Sequence, residues 1–276
     1  MAGAQHDLTM IRRAAIERSL ASFPPIVPPV PNVPSGTLLI HGGGEMPQDV
    51  TDKFIELAGG PGAPIVVLPI AADGSLPEDE SRDTRRWTRV GATNVRSLRA
   101  RTKAEVESPE FAAAIESTKA VWLNGGRQWR FVDAYMGTKA EELFRGVLAR
   151  GGVIGGSSAG ASIQSQYMPR GSPLDNTEMM AEGYERGLGF LPGTAVDQHF
   201  TERKRHGDMT ALMRRYPQLL GIGLDEETAI VVRGSIAQVI GRGGVHFYDY
   251  RTGPHDYELV QAGGRYDLFK RAAIAP

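Results

Sequence analysis

The sequence predicts an α/β fold: a mostly parallel sheet with helices on both faces and an antiparallel extension at the C-terminal end. Three observations predict it. Short, unbroken apolar runs recur, each ending in small or polar residues. Helix-like segments alternate with them. After Gly193 the pattern changes to short β runs separated by glycine turns. Strands covered on both faces read as continuous apolar runs, and alternation with helices implies parallel neighbours joined by crossovers. A chain of 276 residues is long enough to bury a core of that kind.

In chain order, residues 8–22 read as an amphipathic helix with Leu8, Ile11, Ala15 and Leu20 near one face. "FPPIVPPVPNVP" follows, and its six prolines lack amide donors and favour extended polyproline geometry. Residues 1–35 are expected to form an arm that packs on the body or on a partner subunit, and residues 36–276 a single α/β domain. "TLLIHGGG" (37–44), "APIVVLPIAA" (63–72), "AVWLNGGRQ" (120–128) and "GGVIGGSSAG" (151–160) are the buried-strand candidates. Gln48–Leu57, Trp129–Tyr135 and Lys139–Ala149 are helix candidates between them. Ligands of such sheets bind beyond the carboxyl ends of the strands, so the glycines at 42–44, 125–126 and 155–160 should gather at one edge. Beyond Gly193, "TAVDQHF" leads into a charged helix, "TERKRHGDMTALMRRY". "GIGLDEETAIVVRGSIAQVIGRGGVHFYDY" then reads as antiparallel strands extending the same sheet.

Composition excludes several functions. Lys plus Arg (31) balances Asp plus Glu (32), so no global field selects nucleic acid or an anionic membrane. No apolar run reaches the ~20 residues that span a bilayer. The N-terminal residues lack the apolar core of a secretory signal, and a cytoplasmic location is expected. Without cysteine, disulfides, thiolate metal sites and a Cys nucleophile are excluded. No metal or cofactor is expected.

The segment with the sharpest chemistry is "GGVIGGSSAGASIQ". Gly156-Ser157-Ser158-Ala159-Gly160 fits G-x-S-x-G with Ser158 central. In that motif a serine sits on a strained strand-to-helix turn, and its neighbours are small so that the backbone can cross closely. The apolar run before it and the helix-like "ASIQSQY" after it supply the required context, and the amide of Ala159 could donate to an oxyanion. Ser157 reads as a cap or loop residue.

A serine nucleophile needs a base, and there are six histidines. His6 lies in the arm, His255 in a polar turn, and His206 in the charged helix. His41 ends the first strand and His246 lies in a late β run. His199, at the end of "TAVDQHF", is held at a strand end before a helix and leads as the base.

"NGGRQ", "GGSSAGA", "GLGFLPG", "VDQHFTERKR" and "GIGLDEETAIVV", in that order, resemble the cyanophycinase branch of the serine peptidase family S51, which also includes aspartyl dipeptidase (peptidase E). The likeness covers residues 36–250, and several ordered blocks are more specific than one motif. It implies a flavodoxin-like sheet related to class I glutamine amidotransferases. It also implies Ser158 as nucleophile, His199 as base, and an oxyanion hole from the amides of Gly126 and Ala159. For the acid, Glu178 in "DNTEMM" is preferred, with Glu226 in "GLDEETA" as the alternative and Asp175 nearby. Gln128 and Gln198 fall where the family positions substrate; Arg203 and Arg205, next to the base, carry guanidinium forks that suit carboxylates, and Asp197 either joins in binding or holds the loop.

The implied activity is hydrolysis of amide bonds next to aspartyl residues. Cyanophycin, a poly-aspartate backbone with arginines on its side chains, is the leading substrate, and a homodimer is the implied assembly. The chain departs from the family in Ser157, where threonine is frequent, in the turn-rich "QYMPRGSPLDN", and in the proline-rich arm. Two rivals are weighed. An α/β-hydrolase esterase would use "HGGG" (41–44) as its oxyanion loop with Asp225 and His246. A non-catalytic binding protein would keep the fold alone. A dinucleotide site lacks its G-x-G-x-x-G spacing.

Overall fold

The apolar runs become parallel strands because each is buried on both sides. The computed structural model describes Arg13, residues 23–251, Gly253 and residues 257–275; His6, His255 and the helix expected over 8–22, save Arg13, fall outside them. Strands β1 (Val33–His41), β2 (Ile65–Leu68), β3 (Val95–Ser97), β4 (Ala120–Leu123) and β5 (Val153–Ser157) pair in parallel in the order β1-β5-β4-β2-β3. Side chains alternate faces along a strand. Leu38, Ile40, Val66, Leu68, Val121, Leu123 and Ile154 enter one core with Phe131, Tyr135 and Phe144 from the helices Trp129–Tyr135 and Ala140–Ala149. Leu39, Ile65, Val67, Ala120, Trp122 and Val153 enter another, with Phe54 and Trp87 from the helices Gln48–Ala58 and Ser81–Arg89. Burying a side chain of this size contributes about 1.5–3 kcal/mol, so the fully buried apolar positions of these strands could not turn polar without loss.

The antiparallel extension divides between two sheets. β9 (Thr228–Gly234), β10 (Ile236–Gly241), β13 (Arg265–Asp267) and β14 (Ala272–Ile274) continue the main sheet outward from β1. β8 (Leu220–Leu224) and β11 (Gly244–Asp249) instead join β6 (Ser165–Tyr167), β7 (Leu191–Asp197) and β12 (Tyr257–Gln261) in a second sheet, ordered β12-β11-β8-β7-β6. Glycine-separated β runs signal antiparallel pairing but not which sheet receives each strand. Among the described residues the fold is α/β, with parallel strands at its centre and antiparallel strands at its C-terminal end.

Two further boundaries differ from expectation. The helix after Ser158 is a single turn, Ala159–Ser162, and β6 begins at Ser165. The charged helix starts at His206, and residues 201–205 form turns. The described proline-rich residues lie on the body: Phe23 stacks on Tyr167 at 6.1 Å between ring centroids, and Gln218 donates to the Pro25 carbonyl at 3.2 Å. Ile26 and Val27 of the same segment face outward.

Candidate active site

The carboxyl ends of β1, β4 and β5 meet at one edge, with His41 opposite Ser157 and Leu123 opposite Gly156. The chain turns sharply there. Ser158 has φ 54° and ψ −112°, outside the regions an L-residue ordinarily occupies. Its neighbours must be small: a Cβ on Gly156 would stand 2.2 Å from the Gly160 carbonyl oxygen, and one on Gly160 would stand 2.0 Å from that of Leu123. The backbone therefore crosses over itself and leaves the Ser158 side chain half-buried at the rim.

His199 reaches this rim from the second sheet, two residues after β7. It too takes a positive φ, 49°, and its amide donates to the Gly42 carbonyl at 2.8 Å. Its Nε2 lies 2.9 Å from Ser158 Oγ, and its Nδ1 lies 2.5 Å from Glu226 Oε1. Glu226 sits on the connection between β8 and β9, the point where the chain leaves one sheet for the other. The carboxylate at His199 is therefore Glu226, not the preferred Glu178. Glu178 is exposed on a turn where its amide donates to Asp175 Oδ1 at 3.2 Å, and Asp175 also accepts from the Thr177 amide and hydroxyl, each at 2.7 Å. That turn occupies the Asp175 carboxylate with local donors and leaves Glu178 on the surface, away from His199. Burial holds the His199 pKa below its ordinary value, and Arg203 and Arg205 push the same way against the Glu226 hydrogen bond.

Gly126, the other candidate oxyanion donor, has φ 140°, and a Cβ there would collide with the Ala71 carbonyl. The adjoining Gly125 faces Ser158, so the 125–126 turn and Ala159 flank the hydroxyl. Gln128 is buried and donates to the Pro169 carbonyl at 2.9 Å. Asp197 is fully buried between two guanidiniums, 3.1 Å from Arg170 Nε and 2.8 Å from Arg205 Nη1. Burial brings the Arg205 pKa down to about 10, with Asp197 opposing the shift. The Gln198 amide donates to Asp197 at 3.0 Å, while its buried side-chain Oε1 has no hydrogen-bond partner among the described residues.

Beside these groups, Arg170, Asn176, Thr177, Arg203, Arg205 and Asp208 line a cavity of about 320 Å³. Arg203 is exposed there and makes no ion pair among the described residues. Arg170 is the residue that sequence reasoning missed. It holds the turn-rich loop by donating to the Asn176 and Thr177 carbonyls at 3.3 and 3.1 Å and to Asp208 at 2.7 Å. Its only signal was the unusual loop that contains it.

The pair expected for an esterase exists but faces elsewhere. His246 Nε2 lies 3.2 Å from Asp225 and 3.3 Å from the Thr201 hydroxyl, among Phe200, His206 and Tyr257. The imidazole at Ser158 belongs to His199.

The model of peptidase family S51 matches residues 38–240. The chain belongs to that family. Cyanophycinases of Trichormus variabilis and of a Nostoc species are each 31% identical to this S51 peptidase over 268 residues, covering 88% of it and 89% of the relative. The crystal structure of a peptidase from an acI-B1 actinobacterium superposes with a TM-score of 0.65 at 22% identity, covering 84% of this chain and 97% of that one. A peptidase E-like protein from Listeria monocytogenes superposes at 0.56 with 16% identity, over 75% and 98% of the two chains. These superpositions place the fold among flavodoxin-like peptidases, and the family makes the chain a hydrolase.

Proposed function

We propose that this S51 peptidase is a serine enzyme that cleaves amide bonds next to aspartyl residues, with cyanophycin and its β-aspartyl-arginine units as leading substrates. Ser158 is the nucleophile, His199 the base, and Glu226 rather than Glu178 the acid. The observation that carries the reading is the unbroken contact chain from Ser158 Oγ through both nitrogens of His199 to Glu226.

In this mechanism the neutral Nε2 takes the Ser158 proton as Oγ attacks the scissile carbonyl carbon. Glu226 fixes the tautomer by accepting the Nδ1 proton and stabilises the imidazolium that forms. The Gly126 and Ala159 amides receive the oxyanion, each donor contributing about 3–4 kcal/mol in mutational series. The C–N bond then breaks as His199 returns the proton to the leaving amine. Water, deprotonated by His199, attacks the acyl ester and frees Ser158 and a carboxylic acid.

Substrate choice follows from the adjoining cavity. Three guanidiniums there face two carboxylates, and Arg203 is left for an incoming anion. A poly-aspartate backbone supplies such anions at regular spacing. Incubation with purified cyanophycin and with a panel of Asp-X and β-aspartyl dipeptides, read by product mass, tests the assignment. Ser158→Ala is expected to lower turnover by about 10⁶-fold while circular dichroism stays unchanged. Cleavage at the wild-type rate by that variant would refute it.

A further inference from the structure

The "HGGG" segment, unused by the mechanism above, surrounds the reacting pair from below. His41 is fully buried at the end of β1, and its Nδ1 lies 2.9 Å from Ser157 Oγ, the side chain next to the nucleophile. The Gly43 amide also points at this nitrogen, at 3.3 Å. An amide can only donate, so Nδ1 is the acceptor, the Ser157 hydroxyl donates to it, and the ring proton sits on Nε2. The His41 carbonyl accepts from the Ser158 amide at 3.0 Å. Gly43, meanwhile, lies against the face of the other imidazole: a Cβ on Gly43 would stand 2.3 Å from His199 Cε1.

One ring therefore ties the residue before Ser158 to the loop on which His199 rests. Its Nε2 is buried with no hydrogen-bond partner among the described residues. Burial lowers the His41 pKa to about 4, with Arg86 and His199 adding to the shift and the nearby Glu45 backbone opposing it weakly. The acceptor thus stays free through the neutral range.

We propose that His41 is a positioning residue. By holding Ser157 and Gly43 together through one nitrogen, it keeps Ser158 Oγ within hydrogen-bond reach of His199 Nε2. This rests on Ser158 and His199 being nucleophile and base. Its role differs from that of an esterase HGGG loop, since here the loop supports the base.

The test is the second-order rate at which a fluorophosphonate labels Ser158 in the full chain, which requires the reacting pair but no knowledge of the substrate. His41→Leu and Ser157→Ala cut the tie from its two sides. Each should slow labelling by about 10- to 100-fold, as small misplacements of reacting groups do. The double variant should be no slower than the worse single one, and His41→Asn, whose Oδ1 replaces the Nδ1 acceptor, should recover most of the rate. With a peptide substrate, the loss should fall on kcat and spare KM. Ser157→Ala labelling at the wild-type rate would overturn the proposal, including when His41→Leu is slow or unfolded, because the ring would then act through packing alone. Wild-type protein that is not labelled at Ser158 would instead remove the serine-enzyme reading, and this inference with it.

Discussion

Two neighbouring carboxylates, Asp225 and Glu226, each meet a histidine, and only one of the resulting pairs faces the proposed nucleophile, Ser158. Glu226 meets His199, whose other nitrogen lies on Ser158. Asp225 meets His246 through the nitrogen that also faces Thr201. Asp225 further accepts from the Thr201 and Gly244 amides, at 3.2 and 3.3 Å. Burial alone would raise the Asp225 pKa, yet the hydrogen bonds from His246 and Thr201 bring it below the ordinary value. It is a charged knot that ties the loop after His199 to β11. Both are a histidine beside a carboxylate, but Glu226 takes Nδ1 and leaves Nε2 for Ser158, whereas Asp225 and Thr201 share the Nε2 of His246. What separates a reacting imidazole from a structural one is the third group it touches.

That contrast can be broken by exchanging charges for amides. In the proposed mechanism, Glu226→Gln replaces the charged acceptor at His199 Nδ1 with an amide that can donate to it and hold the wrong tautomer, which should lower kcat by about 10³- to 10⁴-fold, near the loss when the orienting acid of a Ser-His-Asp site becomes an amide. Asp225→Asn should act on stability first, by about 1.5–3 kcal/mol, the range for hydrogen bonds to a charged group, with a far smaller effect on rate. Glu178→Gln should leave both unchanged. Thermal melts and steady-state kinetics on the three variants read all of this. If Asp225→Asn and Glu226→Gln exchanged their effects, the assignment of the acid would fail.

A smaller effect sharpens the electrostatics. The His199 pKa is held below 6.5 by burial and by nearby guanidiniums. In the proposed mechanism His199 works when neutral, so labelling should decline only as pH falls through that lowered value. Arg203→Ala removes one cation that disfavours imidazolium, so the acidic limb should move to higher pH. The shift should be less than about one unit, because Arg203 is exposed and screened by salt. A move to lower pH would contradict the sign of the argument.

The centre of the fold was legible because it obeys a local rule. Strands such as Ile65–Leu68 and Ala120–Leu123 are buried on both faces, and nothing but a continuous apolar run can meet that demand. The serine turn was legible for a similar reason, since only small residues can pass where Gly156 and Gly160 cross. The acid was not. Glu178 lies 20 positions after Ser158 and Glu226 lies 68 after it, and the one that meets His199 is set by where β8 hands over to β9. Arg170 was hidden because its significance lies in Asp197, a residue far along the chain that arrives only when the second sheet forms. "ASIQSQY" read as helix by composition, yet Ser165–Tyr167 is claimed by the edge of that sheet.

The reacting pair carries a further implication in its backbone. Ser158 and His199 both occupy positive φ, at 54° and 49°, where side chains other than glycine, asparagine and aspartate are poorly tolerated. Such conformations cost on the order of 1–3 kcal/mol each and persist because their surroundings enforce them. Ser158→Gly should therefore melt at a higher temperature than the active protein. This enzyme would be sturdier as a relic of itself, and selection for robustness alone would begin by erasing its chemistry.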